Sequence, residues 1–470
     1  MGESSYKRLI DSDKKPAAVI WMLAWPAIID QLFHTAVQYV DSAMVGSLGA
    51  VATAAVAVNT STIWLVNGTM YAIGTGFSVI AARNIGAGDY DVVKRVVHQA
   101  VLTVVALGIV VSTLLFAIGR KLPLWIGVEA QVVPDAQTYI RWIALSLPFT
   151  IAFMFFSNLL RSSGDTKSPM ICNIVVNLSN VIGNFLLIFP TRILSIGELQ
   201  WTMWGAGMGV RGAAISTAFA NMLAGLIMTG IIVMKRTPVQ ISRSGSWKPD
   251  KPILGQVFRL ATPLALERAM LSFGQITLTV IVTGIGTTAL AAHHLAITAE
   301  SITYMPVNGF SIAATTLVAQ SLGAHRQDKA RSFAVRCLLY GILLMSFTGF
   351  LMFVFSRQLM GFFTGDLGVI ELGSRVLRIE AFAEPFFAMA IVGSGILRGS
   401  GDTRRPFAYS LLGMWIIRLL PAAILIFVFD LGLEAAWSCM VADLCVRGLL
   451  NLRRVMKNRW LAASQVQSSQ

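Results

Sequence analysis

The sequence predicts an all-α integral membrane protein with twelve transmembrane helices in two parallel-repeat six-helix bundles. Three observations predict it: recurrent apolar runs of spanning length, basic residues that alternate from loop to loop, and an internal repeat with one constant shift.

Hydrophobic residues fill 55% of the 470 positions and charged residues 13%, about half the charged share of a soluble domain. Stretches such as 96–118 and 337–355 are long enough to cross a hydrocarbon core of roughly 30 Å as helices. The expected spans are 17–42, 51–80, 93–118, 135–159, 169–190, 209–234, 255–283, 288–319, 332–356, 370–396, 407–429 and 433–456. Lys7, Arg8, Lys14 and Lys15 precede the first run. That run is too long for a signal-peptide core and lacks a small-residue cleavage pattern, so it reads as a retained span. Cys172, Cys337, Cys439 and Cys445 all fall inside expected spans, where thiols pack as small apolar groups and imply no disulfide framework.

The net charge of +14 is sorted by side. Basic residues crowd the N-terminus, the loops with Arg83/Lys94/Arg95, Arg161/Lys167, Arg326/Lys329/Arg331 and Arg398/Arg404/Arg405, the central linker, and Arg453/Arg454/Lys457/Arg459. The intervening loops hold few, mainly Arg120, Lys121, Arg192, Arg211 and Arg357. By the positive-inside rule both termini are cytoplasmic, which requires an even number of spans. The charge therefore reports topology and contact with anionic membrane lipids; no basic-aromatic groove points to nucleic acid.

A shift of 237, from Pro26 to Pro263, superimposes the halves. It pairs Gly49 with Gly286, Gly86-Ala87 with Gly323-Ala324, Arg120 with Arg357, Arg141 with Arg378, Pro148 with Pro385, Arg161 with Arg398, and Gly164-Asp165-Thr166 with Gly401-Asp402-Thr403, ending at Pro169 and Pro406. Beyond that, a longer exit-side loop from Pro190 to Gly209 breaks register. Both halves start in the cytoplasm with six spans each, so the repeats are parallel about an axis along the membrane normal. The organisation is an N-terminal segment 1–16, a first lobe 17–234, a linker 235–254 marked by Pro238, Ser242, Gly245, Ser246 and Pro249, a second lobe 255–456, and a tail 457–470. Gly-Asp-Thr-x-x-Pro has a structural reading: Gly turns the chain and Pro enters the first turn of the next helix.

The segments 40–46 (Val-Asp-Ser-Ala-Met-Val-Gly, followed by Leu48-Gly49), 161–166 and 397–403 resemble those of the MATE (multidrug and toxic compound extrusion) family, in its bacterial NorM/DinF-like form. The resemblance covers nearly the whole chain, from Pro26 to Arg454. It implies a V-shaped pair of bundles in the bacterial inner membrane. It also implies export of bulky cationic or amphipathic small molecules by a monomer, driven by sodium or proton entry, with no cofactor.

Ionisable groups at membrane depth are costly and each is a functional candidate. On the first span Asp30, His34, Gln38 and Asp41 recur at helical spacing and share a face. Asp41 matches the first-span aspartate that the family uses for cation coupling; a carboxylate in an apolar pocket binds a proton or, with other oxygens, a sodium ion. Its repeat position is Leu278, so coupling there belongs to the first half alone. Asn177, Asn180 and Asn184 on the fifth span are candidates to complete the site, with Thr217 on the sixth; hydrogen bonding between helices is the alternative role. One branch of the family carries Asp at the position of Asn184, which leaves Asp41 here as the single matched carboxylate. In the second half Glu267 and Gln275 are repeat partners of Asp30 and Gln38, and with Glu300 and Glu384 they are assigned to the substrate cavity or a second coupling site. Glu380 and Glu384, one turn apart, are expected on one face, with Arg418, Asp443 and Arg447 neutralising them in a buried ion network. Trp64, Met70, Tyr71, Phe153, Phe155, Tyr304, Met305 and Phe310 offer stacking surface for flat compounds, or simple packing.

No Gly-x-x-x-x-Gly-Lys-[Ser/Thr] loop occurs, so ATP does not drive this chain directly. His293-His294 point apart on a helix and form no metal triad, and no catalytic constellation argues for an enzyme. The rival readings are a flippase of lipid-linked or other amphipathic lipids, which would need a cationic cavity for pyrophosphate, and a channel.

Overall fold

The computed structural model describes residues 9–11, 14–196, 199–242, 246–458 and 460–461. Lys7, Arg8, Gly245, Arg459 and the tail beyond Leu461, all used in the sequence reading, lie outside them. A 3-10 turn (Leu9–Asp11) precedes α1 (Pro16–Gly46), α2 (Ala50–Ala87), α3 (Tyr90–Ile118), the short α4 (Leu122–Ile126), α5 (Val133–Ser162), α6 (Lys167–Leu187), the antiparallel pair β1 (Pro190–Ile196) and β2 (Leu199–Ala206), and α7 (Gly209–Met234). The second half runs α8 (Lys251–Thr283), α9 (Thr287–Tyr304), α10 (Asn308–Gly323), α11 (Gln327–Val354), the short α12 (Ser356–Phe363), α13 (Leu367–Ala381), α14 (Glu384–Ser400), α15 (Arg404–Leu411), a π-helical segment (Leu412–Leu419), α16 (Leu420–Phe427) and α17 (Leu433–Met456).

Among the described residues nine helical spans are long and apolar enough to cross a bilayer, ten with α9 and α10, which meet at 45°. The tenth expected span is split into α13 and α14, and the twelfth, α17, carries Asp443 and Arg447. The chain is thus a multi-pass membrane protein whose helices fit the twelve-span, two-lobe plan.

Three expected continuous spans are interrupted, all in the second half. Pro306 lies in the break between α9 and α10, and Pro385 opens α14 directly after the break at Phe382-Ala383. Proline lacks an N–H and disfavours helix at the residue before it. Pro148, the repeat mate of Pro385, is instead accommodated inside an unbroken α5. In the eleventh span Pro421 follows the π-segment, where a missing donor meets a widened turn. The extra loop between α6 and α7 is a hairpin, with Arg192 opposite Met203 and Ser195 opposite Gln200.

The two halves interlock at the end that bears the Gly-Asp-Thr loops. There α2 crosses α10 with no room for side chains: a Cβ on Gly86 would strike the backbone of Gln320, and one on Gly323 the backbone of Arg83. The shift of 237 relates Gly86 to Gly323 and Arg83 to Gln320, so the contact is its own image under the repeat. Gln320 also donates to the Ser162 carbonyl at 2.7 Å, and Thr316 to the Arg161 carbonyl at 3.2 Å. The first helix of each half crosses over as well. Ile20, Leu23 and Ala24 of α1, ahead of Pro26, join a core with Phe310, Ala313 and Leu317 of α10. Val257, Leu260 and Ala261 of α8, ahead of Pro263, join the core built by α2, α3, α5 and α7.

The Gly-Asp-Thr motif does what a turn requires. Gly164 and Gly401 adopt φ of +96° and +89°, open to glycine and strained for other residues. Each aspartate then ties down the last helical stretch of its half: Asp165 meets Lys235 at 2.6 Å and Asp402 meets Arg454 at 2.8 Å. The linker is pinned to α3, where His98 stacks on Trp247 at 4.3 Å and Gln99 exchanges hydrogen bonds with Lys248 (2.9 Å) and Asp250 (3.0 Å).

Replacing Gly86 or Gly323 by Val should pry this crossing apart. With the four native cysteines replaced by Ala, a reporter cysteine at Ser162, buried beneath Gln320, should label several-fold faster with a charged maleimide in either variant. Unchanged labelling would show that the crossing is looser than described.

Candidate functional site

Two polar centres lie within the helices, and in the first half a separate network ties Asp30 to Arg161 and Asn173. The first centre is built on α1, α5, α6 and α7. Asn184, one turn after Asn180 on α6, donates to the Asp41 carboxylate and, at 3.3 Å, to Asn180 Oδ1. Asn180 in turn donates to Thr217 Oγ1 at 3.3 Å, and its backbone carbonyl accepts from Ser216 at 2.9 Å. The buried Tyr139 hydroxyl meets Thr217 from α5. Asn184 is fully buried, and its Oδ1 has no hydrogen-bond partner. Tyr139 also belongs to an apolar cluster with Ala55, Ile143 and Ala214, and a smaller cluster joins Val45, Ile188 and Ala213.

These oxygens suit a small hard cation: one carboxylate, two carboxamide oxygens of which one is unsatisfied, and two hydroxyls. A proton on Asp41 meets the same need for neutrality. Asn177 stands apart from the expected set. Its amide is spent on Asn173, on the backbone oxygen and on Oδ1, both at 2.9 Å. Asn177 is thus tied to Asn173, the partner of Asp30, and makes no hydrogen bond to the Asp41 cluster among the described residues.

Asp30 is 3% exposed and fully engaged, by Arg161 at 2.7 Å and Asn173 at 2.6 Å. The shift of 237 carries Asp30 to Glu267 and Asn173 to Ser410, and Ser410 donates to Glu267 at 2.9 Å. Each half thus ties its first helix to its fifth through one equivalent bond. Glu267 has no ion pair among the described residues, whereas Asp30 has one. The stripe expected on α1 divides: Asp30 and Asp41 turn to α6, while His34 and Gln38 are exposed and Gln275, the counterpart of Gln38 on α8, is half-buried.

The second centre holds buried acids in excess of buried bases. Asp443 takes both arginines, Arg418 at 2.8 Å and Arg447 at 2.6 Å. This corrects the expectation that those arginines neutralise Glu380 and Glu384. Glu384 accepts from Thr303 at 2.5 Å through one oxygen, and neither oxygen of Glu380 has a hydrogen-bond partner. Glu380 ends α13 and Glu384 starts α14, so the two do not share a continuous helical face; the break brings them together instead. With Glu300 and Glu267 the set comprises five buried acids against two buried arginines. Carboxyls sealed from water without a counter-charge need a proton or a bound cation.

Of the aromatic candidates, Met70, Phe155 and Phe310 are core residues, Tyr304 packs on Phe387 at 5.2 Å, Arg268 lies 5.6 Å over Tyr71, and Trp64 is exposed. His293 is buried and accepts from Trp437 at 3.2 Å while His294 is exposed, and no group of three metal-binding side chains occurs among the described residues. Sequence reasoning missed Tyr139, Arg161, Asn173, Thr303 and Ser410. Applying the repeat shift to polar residues at expected membrane depth would have exposed the last-mentioned serine and its partner Asn173.

The family model MatE matches residues 26–186 and 263–424. The probable multidrug resistance protein NorM of Thermotoga maritima is 28% identical over 439 residues, 93% of this chain and 92% of its own. The multidrug resistance protein MdtK of Yersinia pestis is 26% identical over 455 residues, covering 93% and 94%. The outward-facing conformation of a multidrug resistance MATE family transporter of the MOP superfamily superimposes with a TM-score of 0.88 at 19% identity over 99% of this chain and 100% of that one. At that identity the likeness speaks for the fold.

Asp443→Asn should destabilise the protein by about 3–5 kcal/mol, because it strands two buried arginines, whereas Glu380→Gln removes an unpartnered acid and should be neutral or stabilising. Thermal unfolding of the purified variants compares the two, and equal losses would deny Asp443 its central place.

Proposed function

The chain belongs to the MATE family, a family of transporters and not of enzymes, and on that premise we propose that it is a secondary active multidrug exporter. It exchanges an entering sodium ion or proton for bulky cationic or amphipathic compounds. The observation that carries this reading is the oxygen cluster around Asp41, with its unsatisfied Asn184 carboxamide.

The proposed mechanism is alternating access. Asp41 lies on the half of α1 that joins α6, and the half before Pro26 packs on α10 of the other lobe. A cation or proton held by Asp41, Asn180, Asn184, Thr217 and Tyr139 therefore acts on a helix shared between the lobes. Its binding changes the relative stability of the inward- and outward-open states by its differential affinity for the two. Lobes 17–234 and 255–456, the linker 235–254 and both termini on the cytoplasmic side of the bacterial inner membrane complete the arrangement. His34, Gln38 and Gln275 line the route between the lobes, and Glu300, Glu380 and Glu384 exchange their protons for a cationic compound or a second coupling ion. Acids in the centre argue against a pyrophosphate-carrying lipid as cargo.

Ethidium efflux under separately imposed sodium and proton gradients tests this reading. Wild type should respond to one gradient, and Asp41→Asn, verified in the membrane, should fall to the level of membranes without the protein. Gradient-driven efflux by that variant would overturn the assignment.

A further inference from the structure

Between the start of α15 and the end of α17 a cavity of about 180 Å³ is lined by Arg405, Tyr409, Leu450, Arg453, Arg454 and Lys457. Four of its six walls are cationic. Asp402 is committed to Arg454 through Nη2 at 2.8 Å and Nε at 3.1 Å. Arg405, Arg453 and Lys457 make no ion pair among the described residues, and the sequence contains no acid after Asp443.

The repeat gives an internal control. At the equivalent place in the first half, Asp165 is met by Lys235 at 2.6 Å and by the Ser168 hydroxyl at 2.7 Å, and the position of Arg405 is Ser168. Gly225 and Gly448 sit against the carbonyls of Phe149 and Phe386, which the shift of 237 relates. This sets a shift of 223 for the last helices, under which Arg453, Arg454 and Lys457 fall on Gly230, Ile231 and Met234. The turn and its aspartate recur in both halves; the surplus cations do not. They are an addition to the second half that the fold itself does not require.

We propose that this cavity binds the phosphodiester headgroup of an anionic membrane lipid. Phosphodiester oxygens match the fork of two guanidiniums and the point charge of a lysine. The lipid source follows from the surroundings. Leu411 at the end of α15, Leu412 at the start of the π-segment, and Leu449 and Met456 of α17 are exposed, which suits acyl chains, and Tyr409 in the wall has the amphipathic ring favoured at headgroup level. The site is separate from the transport reading and does not depend on it.

The test uses the full-length protein in phosphatidylcholine nanodiscs, titrated with phosphatidylglycerol of the same acyl composition and read by native mass spectrometry and thermal unfolding. Wild type should retain phosphatidylglycerol over phosphatidylcholine. Each cation removed should weaken this roughly fivefold, so Arg405→Ala/Arg453→Ala/Lys457→Ala should lose on the order of a hundredfold. Arg405→Ser, which restores the residue of the first half, should lose about fivefold with unfolding in phosphatidylcholine alone unchanged; it decides the matter where the triple variant does not fold. Equal retention of both lipids, or retention indifferent to Arg405→Ser, overturns the proposal. Stabilisation by inorganic phosphate equal to that by phosphatidylglycerol overturns the lipid source and assigns the cavity to a soluble phosphoryl compound.

Discussion

Apolar helices surrounded by hydrocarbon gain little by touching one another, so contact between two bundles has to rest on close backbone approach and on hydrogen bonds. Here that constraint is met at the crossing of α2 and α10. Gly86 and Gly323 let each helix present its backbone to the other, and Gln320 and Thr316 fasten the contact to carbonyls of α5. The lobes are held together at one end, and the placement of α1 and α8 follows: each runs from the opposite lobe's core before its proline to its own lobe's polar centre after it.

Shared ancestry of the halves shows in bonds as well as in residues. The link from first to fifth helix is the same in both, as Asp30 with Asn173 and as Glu267 with Ser410. Chemistry then diverges. The first half places a single carboxylate, Asp41, among neutral oxygens, while its counterpart Leu278 is buried packing. The second half breaks its tenth span between Glu380 and Glu384 and inserts a π-segment ahead of Pro421, placing Arg418 against Asp443. One lobe thus keeps continuous helices around a compact cluster, and the other gives up helical continuity to gather charge.

Much of this was legible in the sequence. Run length marked the spans, and the shift of 237 announced two parallel halves; it paired Gly86 with Gly323 without revealing that their helices touch. Asp41, Asn180, Asn184 and Thr217 were named from spacing and resemblance, and the structure brings them together. What failed did so for physical reasons. Periodicity treats a helix as unbroken, so Glu380 and Glu384 were placed on one face across a break caused by Pro385. It also ranks polar residues by face without knowing who claims their hydrogen bonds, which is why Asn177 was grouped with Asp41 although Asn173 holds it. Partner choice within a charge network was only partly within reach: Asp443 and Arg447 stand one turn apart on α17, a pairing that helical spacing encodes, whereas Arg418 reaches Asp443 from the π-helical segment, which no spacing predicts.

The surplus of acid in the second lobe has an electrical consequence. A charge carried fully across a membrane exchanges about 2.3 kcal/mol with the field for every 100 mV, and a fraction of the distance exchanges that fraction. Any rearrangement that moves the cluster of Glu300, Glu380 and Glu384 relative to the bilayer therefore senses the membrane potential, in proportion to how many of the three are ionised at that moment. The first lobe, whose oxygen cluster contains one carboxylate, has far less leverage. The membrane voltage therefore gains purchase on this lobe only as its carboxyls lose their protons, and their occupancy sets the gain.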